Sequence, residues 1–225
     1  MAWFTDDTLD FMADLADNNE RAWFNEHKGR YEKDVKDASL AFIADFAPRL
    51  ATVSEHFRAI AKTQGGSLFR IYRDTRFAKD KTPYKTHIGL HFKHALAKDV
   101  HAPGFYLHLQ PAESFFGAGI WHPDGPGVKA IRASIDTHQD AWRGVKKKLS
   151  KAGLELAGES LKRTPKGYDK EHPLGEDLKR KDFIVTCSIA EDMVLSDGLL
   201  DHFTTLCEGA APLQEFLCAS MEIPY

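Results

Sequence analysis

Cysteine is scarce. Cys187, Cys207 and Cys218 are an odd number in 225 residues and form no CxxC pair. Neither a disulfide framework nor a thiolate zinc site is expected from them, and a reducing cytoplasm is the expected setting. No apolar run approaches the ~20 residues of a membrane-spanning helix. The opening stretch MAWFTDDTLD lacks the basic and then apolar regions of a secretory signal, so no membrane association or export is expected. The GxGxxG, Walker A and GxSxG patterns are missing as well. Their absence argues against ordinary dinucleotide or P-loop binding and against a serine nucleophile elbow, and no cofactor is expected. Internal repeats, low-complexity tracts and linkers are also lacking. What is present is a globular composition, with 43% hydrophobic, 28% charged and 11% aromatic residues.

The formal net charge of −3 hides an uneven distribution. Residues 1–69 hold 8 basic and 12 acidic residues, whereas residues 70–85 hold 6 basic against 2 acidic. Residues 143–181 hold 12 basic against 6 acidic, and residues 186–225 hold seven acids with no Lys or Arg. Two basic segments that converged would form one positive surface and concentrate anions. Packed against the acidic ends, they would simply be neutralised.

Hydrophobic spacing gives the elements. Thr5 or Asp6 can cap a helix carrying Leu9, Phe11, Met12 and Leu15, stopped at Asn18-Asn19. A second helix is expected from near Glu20, through Trp23, Phe24, His27 and Tyr31. A third is expected through Leu40, Ile43, Phe46 and Leu50, with a break or kink near Pro48. Residues 87–93 and 105–110 alternate apolar with polar or small residues, and a third run, 114–121, follows a short hairpin-type connection, which predicts an antiparallel meander with one apolar and one polar face. One long amphipathic helix should follow, with Val128, Ile131, Ile135, Trp142, Val145 and Leu149 on its buried stripe. A further strand at 183–187 and helices around 199–206 and 213–221 should close the chain. The expected architecture is a single α+β domain over 1–225, an antiparallel β-meander packed against several helices. Within it lie a helical part (1–65), a basic motif with the sheet (66–121), a long helix with a basic loop (122–181) and an acidic helical part (186–225).

The chemistry concentrates in residues 70–87, RIYRDTRFAKDKTPYKTH. Arg70, Arg73, Arg76, Lys79, Lys81 and Lys85 supply cations, and arginine forks match phosphate or carboxylate oxygens. Tyr72, Phe77 and Tyr84 can stack on a ring. Asp74 can orient an arginine or act as a base, and His87 is the other candidate base. The contrary reading is a structural clasp, in which Asp74 and Asp80 pair with the neighbouring arginines. This run closely resembles the signature of the family called domain of unknown function 2461. So do Asn18-Asn19-Glu20-Arg21-Ala22-Trp23-Phe24, with His27 and Tyr31 behind it, and Gly117-Ala118-Gly119-Ile120-Trp121. The stretches 161–168, 172–173 and 178–181 add to the resemblance, which spans nearly the whole chain. It implies a single domain and brings no catalytic residue to carry over.

His87 and His91 should share the polar strand face with Tyr106, His108 and Gln110, with no carboxylate at metal-ligand spacing, and no metal site is expected. Gly89 lies on that face too, where either close packing or a ligand would explain it. Some of Lys162, Arg163 and Lys166, beside a Pro-Gly turn, and Lys179, Arg180 and Lys181, before a strand, are expected to converge with Arg73 and Arg76. The expected function is binding of an anionic, phosphate-bearing small ligand. The alternatives are an enzyme acting on a phosphorylated small molecule or nucleotide, a nucleic-acid binder, ranked lower because the chain is acidic overall, and a protein-interaction domain.

Overall fold

The computed structural model describes residues 2–96 and 102–225. Helix α1 (Asp6–Asp17) starts where the Thr8 hydroxyl accepts the Thr5 N–H at 3.1 Å, and it ends at Asn18. Short helices α2 (Arg21–Glu26) and α3 (Lys28–Arg30) lead through a π-helical turn, Tyr31–Asp37, into α4 (Ala38–Val53). Helix α4 passes through Pro48 without ending there, and the helical part stops at Val53 rather than near residue 65. Leu50, buried beyond the proline, keeps the last turn packed.

Strands β1 (Ile88–Lys93), β2 (Gly104–Leu109) and β3 (Phe115–Ile120) form the expected meander. It extends to five antiparallel strands through β4 (Glu155–Ala157) and β5 (Phe183–Ser188), in the order β1-β2-β3-β5-β4. On one face Leu90, Phe92, Phe105, Leu107, Phe116, Ile120, Phe183 and Val185 are fully buried. The rings of Phe46 on α4 and Phe203 on α9 (Leu199–Ser220) meet this face, with Phe46 at 4.7 Å from Phe92 and Phe203 at 5.6 Å from Phe116. Gln214 on α9 donates to the Gly104 carbonyl at 2.6 Å and ties that helix to β2.

Two helix expectations need correction. The stripe from Val128 to Leu149 is split into α5 (Gly125–Thr137) and α6 (Gln139–Lys151) at His138, whose φ of −114° and ψ of 52° leave the helical region. The stripe keeps helical phase across the break, so periodicity alone cannot show it. The turn lets Trp142 reach Phe216 of α9, with ring centroids 4.9 Å apart. The closing segment, in contrast, is one helix rather than two. Leu206, Cys207, Ala210, Leu213 and Leu217 keep a continuous buried stripe past Pro212. That packing outweighs the roughly 3 kcal/mol an interior proline costs. Two further short helices, α7 (Gly175–Leu178) and α8 (Glu191–Val194), lie on either side of β5. Among the described residues no helix is long and apolar enough to cross a membrane.

Candidate functional site

The second face of the sheet carries the polar alternates. Register places Gly89 opposite His108, His91 opposite Tyr106, and His108 opposite Phe115. The glycine on β1 has a concrete cause. A Cβ on Gly89 would stand 2.7 Å from the Tyr106 hydroxyl, so the tyrosine lies across the glycine backbone. His87 stacks on His108 at 4.4 Å, and His108 stacks on Phe115 at 4.5 Å, making a row of three near-parallel rings. Tyr106 Oη lies 3.2 Å from His108 Nδ1, and His108 Nε2 lies 3.2 Å from Gln110 Oε1. Gln110 in turn donates to Glu113 at 2.8 Å. Burial, with His108 and Lys85 nearby, pushes His87 down to about 4, so it is neutral at pH 7. Burial likewise raises Tyr106 to about 12 and keeps its hydroxyl protonated.

The basic segment runs along the free edge of β1. Phe69 N–H donates to the Gly89 carbonyl at 2.9 Å, and His91 N–H to the Ser67 carbonyl at 2.7 Å. The chain then turns out and back, with Tyr72 bridging Tyr84 and Arg73 N–H donating to the Pro83 carbonyl at 2.9 Å. Asn19 fastens this excursion through both amide atoms, at 3.0 and 3.1 Å from the Tyr84 N–H and carbonyl. The Tyr84 ring stacks on Phe24 at 4.2 Å. The Asn18–Phe24 motif and the 70–87 motif are thus two halves of one contact.

Of the six cations, three bond within the loop, one is exposed at its tip and two stand nearer the sheet. Arg73 bonds Asp80 and the Thr82 hydroxyl, and Arg76 bonds both oxygens of Asp74. Lys81 donates to the Thr75 carbonyl at 2.8 Å. These bonds hold Asp74 and Asp80 down at about 2, Asp74 mainly through Arg76 and Asp80 mainly through the Thr82 N–H and Arg73. A carboxylate so held is a poor base, which leaves Asp74 an orienting role. Lys79 at the tip is exposed.

Arg70 and Lys85 flank the β1 edge. Among the described residues neither has a carboxylate within ion-pair distance, as is also true of Lys79 and Lys81, and the Arg70 charge acts on Asp74 from farther off. Lys85 donates to the Arg70 carbonyl at 3.0 Å and sits 5.0 Å from the Phe69 ring centroid. Phe69 in turn packs 6.0 Å from Tyr106. Burial, and then the Arg70 charge, lower the Lys85 pKa. Two cations therefore stand together beside the ring row on His87 and His108. From His108 and Phe115 an open groove of about 830 Å³ continues over Ser114, Ser188 and Glu191, with Glu113 on its wall.

The structure does not bring the second basic segment to this place. Residues 67–69 lie along the β1 edge, while Lys162 and Arg163 follow β4, at the opposite edge of the sheet. Among the described residues no contact joins Lys162 or Arg163 to Arg73 or Arg76. Sequence reading also passed over Phe69, whose ring carries Lys85, because a lone Phe outside any periodic run gives no signal. A family model described as a conserved hypothetical protein (DUF2461) matches residues 7–216. No curated protein matches the chain.

Proposed function

The chain belongs to the DUF2461 family, and from the site on the sheet face opposite α4 and α9 we propose that it binds a small anionic ligand with a planar ring. The observation that carries this reading is the nearness of the Arg70 and Lys85 charges, two cations that form no ion pair with a carboxylate among the described residues, beside a row of stacked rings. An anion bound there relieves their mutual repulsion, and the arginine fork suits phosphate. The ring lies along His87, His108 and Phe115, and the groove beyond offers Glu113 and Glu191 to a hydrogen-bond donor such as an amino group. An aminated nucleobase phosphate has that order of groups. Arg73, Arg76 and Lys81 hold the loop, and Lys162 and Arg163 take no part. Unpaired thiols at Cys187, Cys207 and Cys218 support a cytoplasmic setting for this role.

Titration calorimetry with inorganic phosphate and AMP tests the reading. AMP should bind more tightly than phosphate. Arg70→Ala with Lys85→Met should weaken AMP at least tenfold, while Arg76→Ala should change it less than twofold. Equal losses in both variants, or no binding by the wild type, would refute it.

One observation favours a second reading. Phe77 is 95% exposed at the loop tip, beside Arg76 and Lys79. A bare aromatic among cations is what a single-stranded nucleic acid stacks on. That reading requires the logarithm of affinity to fall with the logarithm of salt at a slope of about 0.7 per phosphate contacted. It also requires Phe77→Ala to abolish binding. AMP binding that survives Phe77→Ala favours the small ligand.

A further inference from the structure

Backbone irregularities gather at the other end of the sheet. His122, two residues past β3, takes a left-handed conformation with φ +48°, and Gly158, just past β4, has φ +95°. A Cβ on Gly158 would stand 2.5 Å from that of Asp182. Asp182 is 1% exposed and immediately precedes β5. Its Oδ1 accepts the His122 backbone N–H at 2.8 Å and lies 2.6 Å from Nδ1 of the same residue. Its Oδ2 accepts the Glu159 N–H at 2.8 Å. Burial disfavours the charge, but the Glu159 and His122 bonds outweigh it and keep the carboxyl below its ordinary range.

An ionised carboxylate can only accept, so Nδ1 of His122 carries a proton, and in the neutral imidazole the lone pair is on Nε2. The His122 side chain is 45% exposed, and its ring stacks 4.3 Å from that of Trp121, itself 56% exposed. A buried carboxylate that fixes the tautomer and orientation of an accessible imidazole is the arrangement of a general base. A left-handed backbone at a non-glycine residue such as His122 is uncommon, and such positions cluster at functional sites.

We propose that His122 is the general base of a hydrolytic centre for aryl esters, with Asp182 as its positioning residue. The aryl group lies on the exposed face of Trp121. Nε2 takes a proton from water as the water oxygen bonds to the ester carbonyl carbon. The carbonyl π electrons move onto oxygen, and they return as the bond to the aryloxide breaks. The imidazolium gives its proton to the aryloxide, so ester and water become acid and phenol. Asp182 stays ionised throughout. This centre lies at the opposite end of β3 from Phe115 and does not depend on the anion site.

Hydrolysis of 4-nitrophenyl acetate by the full chain tests the proposal. The wild type should exceed the same concentration of imidazole at least tenfold. His122→Asn suits the positive φ and should lose at least tenfold of that rate. His138→Asn, at an exposed histidine with no carboxylate partner among the described residues, should stay within twofold. Asp182→Asn should lower kcat at least tenfold with KM within twofold. Should that variant fail to fold, 15N spectra of the wild-type imidazole should place the His122 proton on Nδ1. A His122→Asn rate within twofold of wild type, a rate no better than imidazole, or the proton on Nε2 would overturn it.

Discussion

At the residue scale, the sheet face opposite α4 and α9 and the ends of the sheet ask different things of their glycines. Gly158 has φ +95° and no room for a Cβ beside Asp182. Gly158→Ala should therefore cost about 1–3 kcal/mol, the usual range for one strained backbone position. Gly117 sits in β3 without a positive φ, and an added Cβ would meet nothing closer than 3.7 Å. Gly117 is buried, but the added Cβ makes only ordinary van der Waals contact, so Gly117→Ala should leave stability unchanged or raise it by up to about 1 kcal/mol. Urea denaturation of both variants checks the pair, and an equal loss would mean that Gly158 is not locked. The His122–Asp182 pair was not legible in the sequence. Its partners lie sixty positions apart, and only the strand register of β3 against β5 brings them together.

At the element scale, stability rests on the ring layer between α4, α9 and the sheet. Phe203 touches Phe42, Phe46, Phe92 and Phe116 with centroid distances of 4.9 to 6.0 Å. Phe203→Ala empties a site shared by three elements and should cost about 3–5 kcal/mol by denaturant unfolding. A loss below about 1 kcal/mol would show that the layer collapses around the gap. This layer was legible because β1 and β2 alternate, as in Ile88-Gly89-Leu90-His91-Phe92. Strand β4 was missed, since three residues are too few for a period to show. The division at His138 and the continuity through Pro212 were also missed, because both are decided by what the helix packs against rather than by its own sequence. Of the anion site, Arg70, Lys85 and His87 were legible as charge and alternation. The separation of these cations from Arg73 and Arg76 depends on which neighbour each side chain reaches, and a sequence carries no such distances.

At the scale of the whole molecule, buried histidines couple the fold to pH. Burial, then Lys93, pushes His91 down to about 4, and burial with His108 and Lys85 does the same to His87. Burial also lowers His94 and His108, against the pull of the Pro224 carbonyl on one and Gln110 on the other. His94 shows why the native chain needs the neutral form. Its Nδ1 accepts the Leu96 N–H at 3.2 Å while Nε2 donates to the Pro224 carbonyl at 2.9 Å, closing the chain end over β1. An unfolded histidine titrates near 6.5. Between about pH 6.5 and pH 4 the unfolded chain thus binds protons that the native chain refuses, and stability must fall as pH falls. For His91 alone the loss approaches about 3 kcal/mol once pH is below its native value. The exposed carboxylates Asp74 and Asp80, held at about 2, act in the same direction but only below about pH 4. Urea midpoints measured from pH 7.5 to 3 should consequently fall in two stages, and His91→Gln should flatten the first stage without altering the second. A midpoint constant from pH 7 to 5 would show that these histidines are not held neutral in the folded chain.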